Sequence, residues 1–289
     1  MPSDTFTLGD LTAVIGDNDS KGEHRAGYNG IWSLTHKTEP TNLFVPIVAG
    51  MNFEHIFDGE TLDLPGKGSD IFFEPRHARM TFKKVSASVA ELHQPATPTF
   101  KLESTTRFTL REPDAIDFEF TFKATQHVFK RDYLGLFWAS YINAPEDKSM
   151  YLRGKNLWLQ HCTPAHNSVS TVVHQDDKFE MTFAKDHRDT LYKNLSPLKY
   201  ELPVFYGLFR KHILIVMFDR TSGLRFSHSP SGGGTNAVAQ STNPAWDFQY
   251  VLPKYEVNTA YGFKARMIYR ERCSREQVLK EYEAWRKEK

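Results

Sequence analysis

Residues 100–124 read FKLESTTRFTLREPDAIDFEFTFKA, and this stretch decides the fold class. Leu102, Phe108 and Leu110 alternate with Lys101, Glu103, Arg107 and Thr109, and after Glu112-Pro113-Asp114 the residues Ile116, Phe118, Phe120 and Phe122 alternate with Asp117, Glu119, Thr121 and Lys123. Successive side chains of an extended strand point to opposite faces, so period-two alternation marks a strand with one buried face. Two such runs around a Pro-Asp turn signal predict an antiparallel hairpin.

The same rhythm extends outward. Ala78–Val85 and Ser88–Gln94 read as a second hairpin around Ser86-Ala87. Further strands are predicted at Tyr133–Ile142, Leu157–Cys162, Ser168–His174, Phe179–Phe183, Val204–Arg210, His212–Asp219, Gly223–Ser227, Trp246–Leu252 and Tyr261–Arg270. Ile213–Phe218 is apolar at every position, which predicts a central strand covered on both faces. Short strands punctuated by Pro, Gly, Asn and Asp imply an all-β protein, a large antiparallel β-sandwich, and not βαβ units. Ser274-Arg275-Glu276-Gln277 matches a capping box, and Val278, Leu279, Tyr282 and Trp285 follow at helical spacing, predicting a C-terminal helix over about 275–287. No change in composition divides the chain, so residues 1–289 are expected to form one domain. The looser stretches Asp17–Gly30, Gly59–Ser69, Ala184–Pro203 and Ser229–Pro244 are expected to be long loops, where sites are often built.

Composition narrows the function classes. With 36 basic and 35 acidic side chains the chain lacks the basic footprint that binding of a phosphate backbone requires, so no nucleic-acid partner is expected. The longest apolar run, Ile213–Phe218, is far shorter than the ~20 residues of a membrane span, and Met1-Pro2-Ser3-Asp4-Thr5 does not read as a signal peptide. Only Cys162 and Cys273 occur, without CxxC spacing, which suits reduced thiols and a cytoplasmic location.

Familiar catalytic signatures are missing: there is no GxSxG, P-loop, HExxH or dinucleotide fingerprint. Ser231-Gly232-Gly233-Gly234 reads either as a turn or as a loop covering a substrate. Of 12 histidines, several sit beside partners suited to acid–base work: Glu54-His55, Arg76-His77, His161 at a strand end and His166-Asn167 in the loop beyond it. The competing reading is that each is a hydrogen-bonded structural histidine. His161 and His166 match no zinc spacing, so no metal and no cofactor is expected. Alternation puts Asp247 and Gln249 on the face opposite Trp246, Phe248 and Tyr250, and Lys264 and Arg266 opposite Phe263, Ala265 and Met267. Aromatic–amide clusters occur at Gly27–Trp32, Phe137–Lys148 and Asn243–Asp247. A polar sheet face flanked by aromatic rings suits ligands rich in hydroxyls; it also suits an ordinary wet sheet face.

The hairpin series over 78–142, with aromatic strand ends and interspersed His, Arg and Glu, resembles the β-supersandwich of galactose mutarotase-like proteins, which include aldose epimerases and enzymes active on polysaccharides. The stretches 27–59 and 229–250 are also similar to those of bacterial proteins to which no activity attaches. The resemblance implies a supersandwich-like fold and a sugar or oligosaccharide as the small-molecule partner. The expected function is a carbohydrate-active enzyme working by general acid–base chemistry, as an epimerase, lyase or hydrolase. Its candidate catalytic residues are Glu54, Arg76, His77, His161 and Asp247, and its candidate substrate-binding residues Trp32, Trp138, Tyr141, Asn143, His166, Trp246 and Arg266. The alternatives are a non-catalytic carbohydrate-binding domain and a structural or homo-oligomer-forming β protein.

Overall fold

The computed structural model describes residues 1–60 and 71–288. The part of the expected loop Gly59–Ser69 from Thr61 onward lies outside the described residues.

The hairpin that opened the reading forms as Leu102–Arg111 paired with Ala115–Ala124, in unbroken antiparallel register. It lies in a nine-stranded sheet whose order is Leu157–His161, Met150–Gly154, Leu202–Phe209, His212–Phe218, Tyr261–Glu271, Ala115–Ala124, Leu102–Arg111, Val89–Gln94 and Thr81–Ser86. A six-stranded sheet packs against it, ordered Leu195–Tyr200, Thr171–His174, Leu224–Ser229, Ala245–Leu252, Leu134–Ala139 and Asn52–Phe57. Ser3–Leu8, Leu11–Gly16 and Gly30–His36 form a third sheet. Strand pairing is antiparallel, except that Thr171–His174 runs parallel to Leu195–Tyr200. The chain is thus all-β, a large sandwich with one helix of more than a single turn among the described residues, at Arg275–Lys287.

The inter-sheet core is aromatic. Trp138 stacks on Phe248 at 4.9 Å between ring centres and meets the edge of Phe120 at 4.8 Å, with Phe118 and Phe263 around it. The strand His212–Phe218 is covered on both faces, as its sequence implied. Leu214, Val216 and Phe218 enter the inter-sheet core, while Ile213, Ile215 and Met217 pack under Val278, Tyr282 and Trp285 of the C-terminal helix.

The structure corrects several expectations. Phe179–Phe183 alternates in sequence but forms no strand; Phe179, Met181 and Phe183 pack onto a cluster beneath the loops, without a ladder partner. Ala184–Pro203 is not wholly loop, since Leu195–Tyr200 pairs with Thr171–His174. The strands before residue 58 and Met150–Gly154 were not anticipated.

The outward face of the six-stranded sheet positions the site. Along Ala245–Leu252, Trp246, Phe248 and Tyr250 enter the inter-sheet core, so Ala245, Asp247, Gln249 and Val251 point the other way. That face is not wet. Asp247 and Gln249 are both buried, Gln249 bonding Thr171 and Ser227, because segments distant in sequence fold over it.

Candidate active site

Beneath those loops lies a cleft of about 470 Å³, within the ~300–1,000 Å³ usual for small-molecule sites. Its floor carries Glu54, His55, Tyr141 and Asp247; its walls include Tyr28, Phe72, Phe73, Arg76, His166, Arg188 and Tyr192.

Glu54 and His55 share this floor because the strand Asn52–Phe57 is irregular. Phe53 pairs with Trp138 and His55 with Phe137, with a register shift between them. The extra residue lets two consecutive side chains serve the same face, as bulges do near active sites. Phe53 and Ile56 remain in the inter-sheet core.

Glu54 is buried, with protein neighbours at both carboxylate oxygens. Oε2 accepts bonds from the Tyr141 hydroxyl at 2.5 Å and Asn52 Nδ2 at 2.8 Å. Oε1 lies 3.3 Å from His55 Nε2 and 4.0 Å from Arg76 Nη1. Burial pushes the carboxyl up, but the hydrogen bond and charge of His55, the charge of Arg76 and the Tyr141 bond outweigh it and hold Glu54 below the usual carboxylate range. The His55 ring stacks on Phe137 at 4.6 Å and meets the edges of Phe72 and Phe73. Burial, then the charge of Glu54, keeps the Tyr141 phenol well above its ordinary range, so it remains a donor.

Asp247 has the opposite environment. Its residue is 1% exposed, and the bond its Oδ1 accepts from Ser140 N is 3.1 Å long. Burial, reinforced by the charge of Glu54, raises its carboxyl well above the ordinary value, with the Ser140 amide offsetting only part of this. The two carboxyls of one cleft are therefore shifted in opposite directions.

Arg76 reaches the cleft from a short helical turn, Glu74–His77, that is tied down from three directions. Asn18 Nδ2 and Gln94 Nε2 donate to the carbonyls of Pro75 and Ala78, and the Glu74 carboxylate accepts from the amides of Thr99 and Phe100. The guanidinium lies over Tyr28 at 4.0 Å and Phe73 at 4.9 Å, and Nε donates to Gly27 O. Gly27 has φ +91°, in the left-handed region that favours glycine.

The cleft brings together Glu54, Arg76, Tyr141, His166 and Asp247 of the sequence-derived candidates. His166 donates to or accepts from Ser229 Oγ through Nδ1, and burial lowers its pKa. The other candidates lie elsewhere. His77 is exposed on a separate groove with Asp17 and Arg79. His161 is buried and bonded to Ser170 O. Trp138 and Trp246 are completely buried in the inter-sheet core, and Trp32 is buried against His24 at 3.7 Å. Asn143 links Asn42 and Asn236, and Arg266 pairs with Asp117 and Glu288 beside the C-terminal helix. The aromatic residues lining the cleft thus include Tyr28, Phe72, Phe73 and Tyr192 and no tryptophan. His55, Tyr28 and Asn167 stood in noted motifs but were not selected, and Arg188–Tyr192 carried no sequence signal beyond its place in an expected loop. Among the described residues no group of three or more His, Cys, Asp or Glu could hold a metal ion.

No family profile matches the chain, and no curated protein is significantly similar to it in sequence. Solved structures do share its fold. A candidate aldose 1-epimerase from Escherichia coli K12 matches with TM-score 0.53 at 9% identity, over 93% of this chain and 99% of that one. A galactose mutarotase-like protein from Lactobacillus casei ATCC 334 matches with TM-score 0.51 at 11% identity, over 93% and 100%. A 4-alpha-glucanotransferase from Thermococcus litoralis matches with TM-score 0.51 at 7% identity, over 92% of this chain and 37% of that one. The chain therefore has the galactose mutarotase-like fold. At such identities the likeness concerns architecture, and chemistry must be argued from the cleft.

Proposed function

We propose that this protein is an enzyme that transfers protons on a sugar or sugar derivative bound in the cleft. The reading is supported by a pair of carboxyls in one small-molecule cleft whose surroundings shift them in opposite directions, Glu54 downward and Asp247 upward. Environments that push two titratable groups apart divide the roles of base and acid. Glu54 Oε1 is the basic atom, because its protein contacts are the longer ones, whereas Oε2 is held by two short bonds. Asp247 is the proton donor to the oxygen that gains negative charge, and Arg76 adds electrostatic stabilisation. Tyr28, Phe73 and Tyr192 offer apolar faces to a sugar ring. Enzymes acting on carbohydrates among the proteins of this fold support the same reading.

The test is NMR of a sugar panel incubated with the protein in D2O. Epimerisation, elimination, faster anomer exchange or deuterium wash-in is expected, reduced by about 10²-fold or more in Glu54→Gln. Undiminished turnover in both Glu54→Gln and Asp247→Asn would remove the acid–base assignment. The protein neighbours at both oxygens of Glu54 favour a second reading, a binding-only site; sugar binding without any turnover would select it.

A further inference from the structure

We propose that the cleft is built for an acidic sugar, a hexuronate, whose carboxylate accepts hydrogen bonds from the Asp247 carboxyl and the Arg76 guanidinium. The proposal rests on the reading of the cleft as a sugar site and adds the class of sugar.

A neutral sugar carries hydroxyls that each donate as well as accept, so its site must supply acceptors. The acceptors on this floor are largely used. Glu54 Oε2 takes Tyr141 and Asn52, Oε1 takes His55, Asp247 Oδ1 takes the Ser140 amide, and His166 Nδ1 is bonded to Ser229. The Tyr141 proton is committed to Glu54. What remains is donor capacity. Among the described residues Asp247 Oδ2 has no hydrogen-bond partner, although the residue is 1% exposed and lines the cleft. When protonated, the carboxyl carries its proton on that oxygen, and burial together with Glu54 favours the protonated form. Arg76 commits one donor, Nε, to Gly27 O and holds the rest of its fork between Tyr28 and Phe73, facing the cleft. An acid proton and a fixed guanidinium lining one cleft together match a carboxylate, which has two acceptor oxygens and no donor. A neutral sugar would leave the acid proton and the fork incompletely matched.

The groups around Asp247 fix the pH dependence. Glu54 and Tyr141 face it across the floor, and Arg76, His166, Arg188 and Asp189 stand around the walls and mouth. Binding through the Asp247 proton is complete below the raised pKa of that carboxyl and is lost as pH rises through it, because Asp247 then becomes an anion facing an anion.

Calorimetric titration of the full chain with D-glucuronate and D-galacturonate, beside D-glucose and D-galactose, tests this between pH 5 and 9. The uronates are expected to bind about tenfold or more tighter than the neutral sugars, with affinity falling at high pH. Asp247→Asn, with folding checked by circular dichroism, is expected to flatten that fall, and Arg76→Gln to erase the preference for uronates. Equal binding of neutral and acidic sugars would overturn the proposal while leaving the sugar-site reading intact. Binding of neither class would overturn both. An unchanged pH dependence in Asp247→Asn would overturn the role given to Asp247.

Discussion

Tyr141 shows how one hydroxyl shapes the chemistry of the floor. Its proton goes to Glu54 Oε2, and a hydrogen bond to a charged group is worth about 1.5–3 kcal/mol. Tyr141→Phe removes that support from the anion only, so the pKa of Glu54 should rise. The acidic limb of the pH–rate profile is expected to move to higher pH, with the alkaline limb unmoved; equal loss at all pH values would show a packing defect instead. Asp247 gives the opposite kind of prediction. Its folded-state pKa stands above the ordinary 3.8, so the folded state holds a proton that the unfolded chain releases, and stability falls as pH rises above that value. Asn cannot ionise. Asp247→Asn should therefore raise Tm at pH 7 relative to the parent, show little gain near pH 4, and lower activity at both. Thermal melts at the two pH values check it.

At the scale of elements, the segment from Asp177 to Phe183 is held by a buried ion pair. Arg225, on Leu224–Ser229, is 2% exposed, pairs with Asp177 Oδ2 at 3.0 Å and donates to Phe179 O at 2.7 Å. These bonds hold the segment that alternates like a strand yet joins no sheet. Asp177→Ala leaves a buried guanidinium short of its counter-charge and should cost about 3 kcal/mol in urea denaturation. The C-terminal helix shows a smaller effect. Ser274 Oγ accepts from Gln277 N at 3.1 Å, but the Gln277 side chain turns to Glu281, so only half of the capping box forms. Ser274→Ala should cost about 0.5–2 kcal/mol, also read by denaturation.

For the whole molecule, the two large sheets are fitted through one close approach. A Cβ on Gly207, in the nine-stranded sheet, would stand 2.1 Å from the ring of Trp246, in the six-stranded sheet. Trp246 is completely buried and its Nε1 donates to Lys148 O, so the ring has little freedom to retreat. Gly207→Ala is expected to destabilise by about 1–3 kcal/mol, seen as a lowered urea midpoint at unchanged slope. Trp246 is also the residue whose reading changed most, from a sugar platform to the rivet between sheets.

Local pattern in sequence determined the strands of the central hairpins and the two faces of Ala245–Leu252 by alternation, the doubly covered strand His212–Phe218 by an unbroken apolar run, and the C-terminal helix by its cap and helical spacing. These follow from local periodicity, which any chain must satisfy to bury one face. The identity of the site residues followed only in part. Glu54, Arg76 and Asp247 were legible as chemistry-bearing types, yet their meeting depended on a bulge at Glu54, a helical turn pinned by Asn18 and Gln94, and loops distant in sequence. Which tryptophans are core and which histidines are structural was likewise settled by tertiary packing, because a residue's type sets what it can do and only its surroundings decide whether it is buried, paired or facing a ligand.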